Sequence, residues 1–474
     1  MKKILFGMTL LAGAVTMTSC GDFLTEEPEL KQSNELTFAT FEGIDAAAAA
    51  LCGMMQSAYW YDGQFILMSE LRAGNAKNPV SEPGSGRYRQ DTQWNYTENN
   101  TSSCWSYAYY TIARANNVIN NIDATDMKGY TQQDADNVKA EALFVRALCH
   151  LDLVITYAQP YSLQPEGPGV PVDTVTVNGK PARNTVREVY AQIESDLLKA
   201  ESLMSDNYQR EGVDDNAAVP SKQAIQALLS RVYLYMKEWQ KSADYATKVI
   251  NSGKYSLVDA DAYKAMWSAS VAPKGGEIIF EVYGSNKNEY WDASGWEHLP
   301  YILDRGNDGS ADVCATTDLM DLYEEGDVRA SLYELSNGDY FVLKYKGKEG
   351  AVPRQVNVPV LRLAEMYLNR AEAISQGASV SGVTARGDLE AIASKRGATV
   401  PQAFNVFVER RKELAFEGHI CYDYARNGLA LERKDFDGTV NQNISAAPNN
   451  YRWALPIPKR ELEANPNMVQ NEGY

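Results

Sequence analysis

A chain of 474 residues can bury a large core, and 45% hydrophobic with 23% charged residues is the make-up of a globular protein. A formal net charge of −17 leaves no basic footprint for nucleic acid, and it bears on solubility rather than on fold. Tyrosine outnumbers phenylalanine 29 to 12, which favours rings with one wet edge, at core margins and binding surfaces.

In chain order, Met1-Lys2-Lys3 is a short cationic start, and Ile4 to Met17 is an apolar run too short to span a bilayer. The small polar pair Thr18-Ser19 precedes Cys20, so residues 1–19 read as a secretory signal ending at a cysteine. Met17-Thr18-Ser19-Cys20 resembles a bacterial lipobox, which implies cleavage before Cys20 and lipidation there. Five further cysteines (Cys52, Cys104, Cys149, Cys314, Cys421) are scattered, odd in number and free of CxxC spacing. That pattern argues against a disulfide framework and a zinc site. No later segment is apolar for long enough to cross a membrane, so the mature chain reads as anchored and not embedded.

Residues 20–34 form an acidic tether, and helical periodicity begins near Thr40 and runs to Met55. Residues 74–103 break it with Asn-Pro, Pro-Gly and polar stretches that predict a long loop. Helices are predicted from Trp105 to Ile122, Gln132 to Tyr157, Thr185 to Met204, Ser221 to Met236 and Trp239 to Ser252. The last two, with Ala227, Leu228, Ala243 and Ala246, resemble a tetratricopeptide hairpin. Residues 253–359 hold short strand-like runs, Glu277 to Tyr283 and Asp339 to Tyr345, among Gly-rich and aromatic loops. Helix returns over Val360 to Gln376, Ala385 to Lys395 and Ala403 to Glu417, and residues 429–474 read as mostly irregular.

Three segments stand out: Val360-Leu-Arg-Leu-Ala-Glu-Met-Tyr-Leu-Asn-Arg-Ala-Glu-Ala373, then Glu409-Arg-Arg-Lys-Glu-Leu-Ala-Phe-Glu-Gly418 with Tyr422-Asp423, then Leu455-Pro-Ile-Pro-Lys-Arg-Glu461 with Asn465-Pro-Asn-Met-Val-Gln-Asn-Glu-Gly-Tyr474. Together they are similar to the SusD/RagB family of nutrient-binding lipoproteins of Bacteroidetes. The Ala115-Asn116-Asn117 step and the run from Ala140 to Tyr157 match as well. The resemblance implies a mainly α fold: a tetratricopeptide-repeat-like helical superhelix with irregular loop-rich inserts and a few short strands. It implies one SusD-like domain over residues 35–474, with inserts at about 74–103 and 253–359. It further implies a lipid-anchored protein on the outer face of the outer membrane, which passes an oligosaccharide to a SusC-like TonB-dependent outer-membrane channel. Peptide capture, as in the RagB branch, is the alternative.

Catalysis has little to build on. Only His150, His298 and His419 exist, and no GxSxG, HExxH, P-loop or GxGxxG stands in a convincing context. No cofactor is implied. A glycoside hydrolase needs only two carboxylates, but abundance of acids is not a pair. Glu409, Glu413 and Glu417 share one helix face at i, i+4 spacing and need cations nearby, which Arg362, Arg370 or Arg426 could supply. Such networks in repeat scaffolds read as structural. Loop aromatics are the better binding candidates, because a sugar's C–H face packs on a ring while its hydroxyls seek the polar edge. They are Tyr88, Trp94 and Tyr96 in the early loop, and Tyr283, Tyr290, Trp291 and Trp296 in the insert. The competing reading is that these rings pin the loops to the scaffold.

Overall fold

The computed structural model describes residues 37–81, 84–176, 179–213, 215–284, 298–305, 309–348, 355–436, 441–442 and 444–474. Among them, helices predominate and strands are short. Helix α1 (Phe41–Ala49) is capped by Thr40, which accepts from Gly43 N. It stops short of the predicted Met55, and a 3-10 turn, Cys52–Gln56, replaces its end. Helices α2 (Gln64–Arg72) and the one-turn α3 (Arg89–Thr92) precede the scaffold proper.

Helix α4 (Cys104–Asn121) packs on α5 (Gln132–Tyr157), which packs on α6 (Val186–Leu203). Capping boxes start two of these: Thr131 with Asp134 for α5, and Thr185 with Glu188 for α6. Each satisfies two backbone groups at a helix start that would otherwise lack partners. With 26 residues, α5 is about 39 Å long, and it is buried on nearly every side. Helices α7 (Lys222–Tyr235) and α8 (Trp239–Asn251) form the predicted hairpin. Ser230 Oγ donates to Ser242 O at 3.0 Å and Ser242 Oγ donates back to Ser230 O at 2.9 Å. The small residues Ala227, Ala243 and Ala246, all buried, permit that close approach.

The insert begins with α9 (Ala260–Ala265), followed by α10 (Leu299–Leu303) and α11 (Thr317–Met320). The scaffold resumes with α12 (Leu363–Ser375) against α8 and α13 (Ala385–Arg396), then α14 (Val406–Glu413) and α15 (Ile420–Asn427); α16 (Lys459–Ala464) lies near the C-terminus. Two predicted helices are shorter than expected. Residues Val358–Arg362 form a strand paired with Ile278–Val282, so α12 starts at Leu363 rather than Val360. The predicted Ala403 to Glu417 helix spans only Val406–Glu413, because Phe416 and Gly418 turn the chain with positive φ.

The strands join the two inserts. In chain order they are β1 (Ala76–Lys77), β2 (Ile278–Val282), β3 (Cys314–Ala315), β4 (Tyr333–Ser336), β5 (Asp339–Val342), β6 (Val358–Arg362), β7 (Leu431–Glu432) and β8 (Ser445–Ala446). One sheet runs β1-β3-β5-β4, with Ala76 opposite Ala315 and Ala315 opposite Tyr340. The early loop and the insert, separate in sequence, are therefore one body.

Scaffold and insert meet at a buried charge network. Arg362, at the end of β6, donates to Glu417 at 2.6 Å, to Glu413 at 2.8 Å and to the Glu413 carbonyl at 2.7 Å. Arg396, at the end of α13, reaches Glu277 at 2.7 Å and Glu413 at 2.9 Å, and Arg329 from the insert reaches Glu413 at 3.1 Å. Burial alone would push Glu413 up, but Arg396, Arg362 and Arg329 outweigh it and hold the carboxyl well below its usual range. Glu417 is lowered in the same way by Arg362 and Lys344. Of the three cations suggested by the sequence, Arg362 serves this cluster, whereas Arg370 pairs with Asp388 and Arg426 with Glu372 and Asp423.

Removing one partner of a buried, paired charge typically costs roughly 3–5 kcal/mol, so Arg362→Ala should lose that much stability in urea unfolding. Because the folded pKa values of Glu413 and Glu417 lie below the ordinary 4.5, their contribution is complete above that pH. It is lost as pH falls through the folded values. The acid limb of the stability profile should therefore flatten in Arg362→Ala. Near-native stability in that variant would contradict the role given to the network.

Candidate functional site

The aromatic residues of the early loop divide into two groups. Trp94 is 1% exposed, its φ of +53° turning the ring inward, and its Nε1 donates to Arg72 O at 3.0 Å. Its ring meets Trp453 edge-on at 5.3 Å. Tyr96 is 3% exposed and donates its hydroxyl to Arg452 O at 2.9 Å. Arg72, beneath both rings, donates to Arg452 O at 2.6 Å and Trp453 O at 2.7 Å. These two rings clamp the C-terminal segment and offer no open face to a ligand, so the loop-anchor reading holds for them. Tyr88, half-buried with a φ of +62°, remains at the surface. Tyr283 is exposed, with Lys348 Nζ 3.6 Å from its ring centre. Cys20, Tyr290, Trp291 and Trp296 lie outside the described residues.

Around Tyr88 the loop is tightly fixed. Asn78 Nδ2 donates to Arg87 O at 2.8 Å and to Asp312 O at 2.9 Å, while its Oδ1 accepts from Thr92. Asp339 accepts from Val80 N, Ser81 N and Ser81 Oγ, which ties the loop to the β4–β5 hairpin. The Asp312 carboxylate accepts from Ser85 N at 2.6 Å and from Arg87 Nη1 at 3.0 Å. The Arg87 guanidinium in turn sits 5.6 Å from the Tyr301 ring centre, on α10.

The other end of α10 is held by Asp62, whose carbonyl accepts from Leu299 N at 2.8 Å and whose carboxylate lies 2.7 Å from His298 Nδ1. Three residues before Asp62, Tyr59 pairs with Tyr107 of α4 at 5.7 Å, and both rings are half-buried. Helix α10 is thus held by Asp62 at one end and, through Tyr301, carries the Arg87–Asp312 pair at the other, with Tyr59, three residues up the chain from Asp62, packed on Tyr107. The half-exposed rings of Tyr59, Tyr88 and Tyr107 can pack against a C–H face, and the partly exposed Arg87 guanidinium, held from below by the buried Asp312 carboxylate, can bond hydroxyls. Burial pushes the Asp62 carboxyl up, partly offset by His298.

Tyr59, Tyr107, Arg87, Tyr301 and Asp312 escape a sequence reading. Arg87 and Asp312 are 225 residues apart, and Tyr107 lies inside a helical pattern. Among the described residues no three metal-ligating side chains cluster, and no helix is long and apolar enough to cross a membrane.

The architecture defines a tetratricopeptide-like helical scaffold that carries a loop-built face. Residues 22–234 match a family described as starch-binding associating with outer membrane, and residues 340–474 match the SusD family. A solved Bacteroides vulgatus protein is 30% identical, with 92% of this chain and 99% of that one covered and a TM-score of 0.81. A SusD superfamily protein of Bacteroides thetaiotaomicron is 29% identical over 91% and 99% of the two chains, with a TM-score of 0.80. SusD-like protein P2 of Formosa agariphila is 25% identical over the full length of both. This chain belongs to the SusD/RagB family.

Core and surface roles separate experimentally. Trp94→Ala should lower stability by about 3–5 kcal/mol, the usual loss for a buried indole, with a clear fall in melting temperature. Tyr107→Ala, which removes a half-buried ring packed on the edge of the core, should lower the melt clearly less than Trp94→Ala. An unchanged melt for Trp94→Ala would restore that ring to the list of ligand-facing candidates.

Proposed function

We propose that this protein is a lipid-anchored lipoprotein of the outer cell surface that captures a nutrient oligosaccharide. It hands the sugar to a SusC-like TonB-dependent channel and does not cleave it. The observation that carries this reading is the family match over residues 22–234, described as starch-binding associating with outer membrane. Starch-binding protein SusD of Bacteroides thetaiotaomicron is 34% identical over 122 residues, a quarter of this chain, which supports a glycan as the ligand class.

The rim is consistent with capture rather than cleavage. Hydrolysis of a glycosidic bond requires one carboxylic acid to protonate the leaving oxygen and a second carboxylate to act opposite it. The Asp312 carboxylate is occupied by Arg87 and Ser85, and the Asp62 carboxylate is buried with one oxygen on His298 Nδ1. Tyr59, Tyr88 and Tyr107, with Arg87, supply the ring faces and polar edge that a neutral sugar needs. Tyr290, Trp291 and Trp296 are proposed as further ligand contacts, on the strength of the ring-dense segment that carries them. Cys20 is the proposed lipid attachment point.

Glycan and peptide arrays probed with the purified protein should show oligosaccharide binding, and the bound sugar should be recovered intact by mass spectrometry. Tyr107→Ala should weaken that binding by tenfold or more, a loss typical of a central contact residue, and lower the melting temperature clearly less than Trp94→Ala. Peptide binding with no glycan bound would replace this reading with peptide capture. Cleavage products that disappear in Asp312→Asn would overturn the claim of no turnover.

A further inference from the structure

The C-terminal segment folds back against the end of α5. Asn471 Nδ2 donates to Tyr157 O at 2.8 Å and to Leu455 O at 2.7 Å. Arg183 binds four carbonyls, those of Tyr157, Pro168, Gly169 and Val469. Between these anchors lies a cleft of about 460 Å³, whose polar walls are Gln159, Gln164, Asn449, Asn450 and Glu472, with the Tyr451 ring beside them. Gly473 makes room for that ring. Its φ is +95°, and a Cβ there would stand 2.5 Å from a Tyr451 ring carbon.

The lining selects for one kind of chemistry. Four carboxamides line it, groups that carry an acceptor and a two-hydrogen donor and so match adjacent hydroxyls of a sugar, although Asn450 Oδ1 already accepts from Arg452 N at 2.9 Å. Gln159 spends its Nε2 on Tyr451 O at 2.8 Å, while its Oε1 is buried and meets no donor among the described residues. A buried acceptor of this kind is costly to leave unmet, and a rotation of the carboxamide would turn it toward a ligand hydroxyl in the cleft. Among the described residues no lysine or arginine lines the cleft and Glu472 is its one charge, so an anion is disfavoured. The volume falls in the range of small-molecule sites, roughly 300–1,000 Å³.

We propose that this cleft holds a neutral polyhydroxylated ligand of one or two hexose units, at a site separate from the rim around α10. The two sites share no residue, and the inference stands on the cleft's own geometry whether or not the rim binds glycan.

Saturation-transfer NMR on the full-length protein with maltose, cellobiose, laminaribiose and glucuronate, each added alone, provides the test. At least one of the three disaccharides should receive saturation, and glucuronate should not. The signal should persist in Tyr107→Ala, which weakens the rim, and in that background fall at least tenfold on adding Gln159→Leu, which keeps the side chain's approximate size and removes the carboxamide. Tyr451→Ala should give the same loss, and melting temperatures of both cleft variants would show whether they remain folded. Absence of transfer to all three disaccharides would overturn the proposal. So would a signal that Gln159→Leu leaves unchanged in the Tyr107→Ala background, a signal lost in Tyr107→Ala alone, or glucuronate binding more strongly than the neutral sugars.

Discussion

Glu413 is the point on which the structure turns. Its carboxylate is fully buried and takes guanidinium groups from three directions: Arg362 at the end of a strand, Arg396 at the end of a helix and Arg329 in the insert. Taking an ion out of water costs several kcal/mol, and only well-aligned opposite charges recover it. A geometry in which scaffold and insert drift apart leaves those charges buried without partners. The network therefore favours a single mutual placement of helical scaffold, β2–β6 pair and insert. Glu277, just before β2, closes the circuit by accepting from both Arg362 and Arg396.

That placement explains how distant segments build one face. The early loop is held to the insert by the β1–β3 pairing and by Asn78, Asp312 and Asp339, each a short polar side chain that satisfies several backbone or side-chain groups. Long loops carry backbone polar groups that must be met somewhere, and here Asn78, Asp312 and Asp339 meet several of them from other loops. The result is a preorganised rim around α10, with Asp62 at one end and Arg87 over Tyr301 at the other.

How much of this is legible in the sequence depends on how local its cause is. Helices α5 and α6 follow from their capping residues and apolar spacing, and the hairpin of α7 and α8 from its alanines, because the signal and the structure lie within one segment. Residues Val360 to Arg362 read as helix because a short apolar run is ambiguous, and the deciding partner, β2, lies some eighty residues earlier in the chain. Trp94 and Tyr96 sit among polar residues, which suggests exposure; a positive φ at Trp94 and the donors of Arg72 bring both rings into the core instead. The charge cluster is readable as structural, though not its membership, since Arg329 and Arg396 come from elements that spacing alone does not place beside Glu413.

A crystal structure with a bound oligosaccharide, chosen from those the protein retains, tests whether the proposed rim around α10 captures the sugar without cleaving it. The expected result is an intact sugar packed on Tyr59 and Tyr107, with hydroxyls bonded near Arg87. A structure with the sugar elsewhere and this rim empty, or with a cleaved sugar, would contradict it.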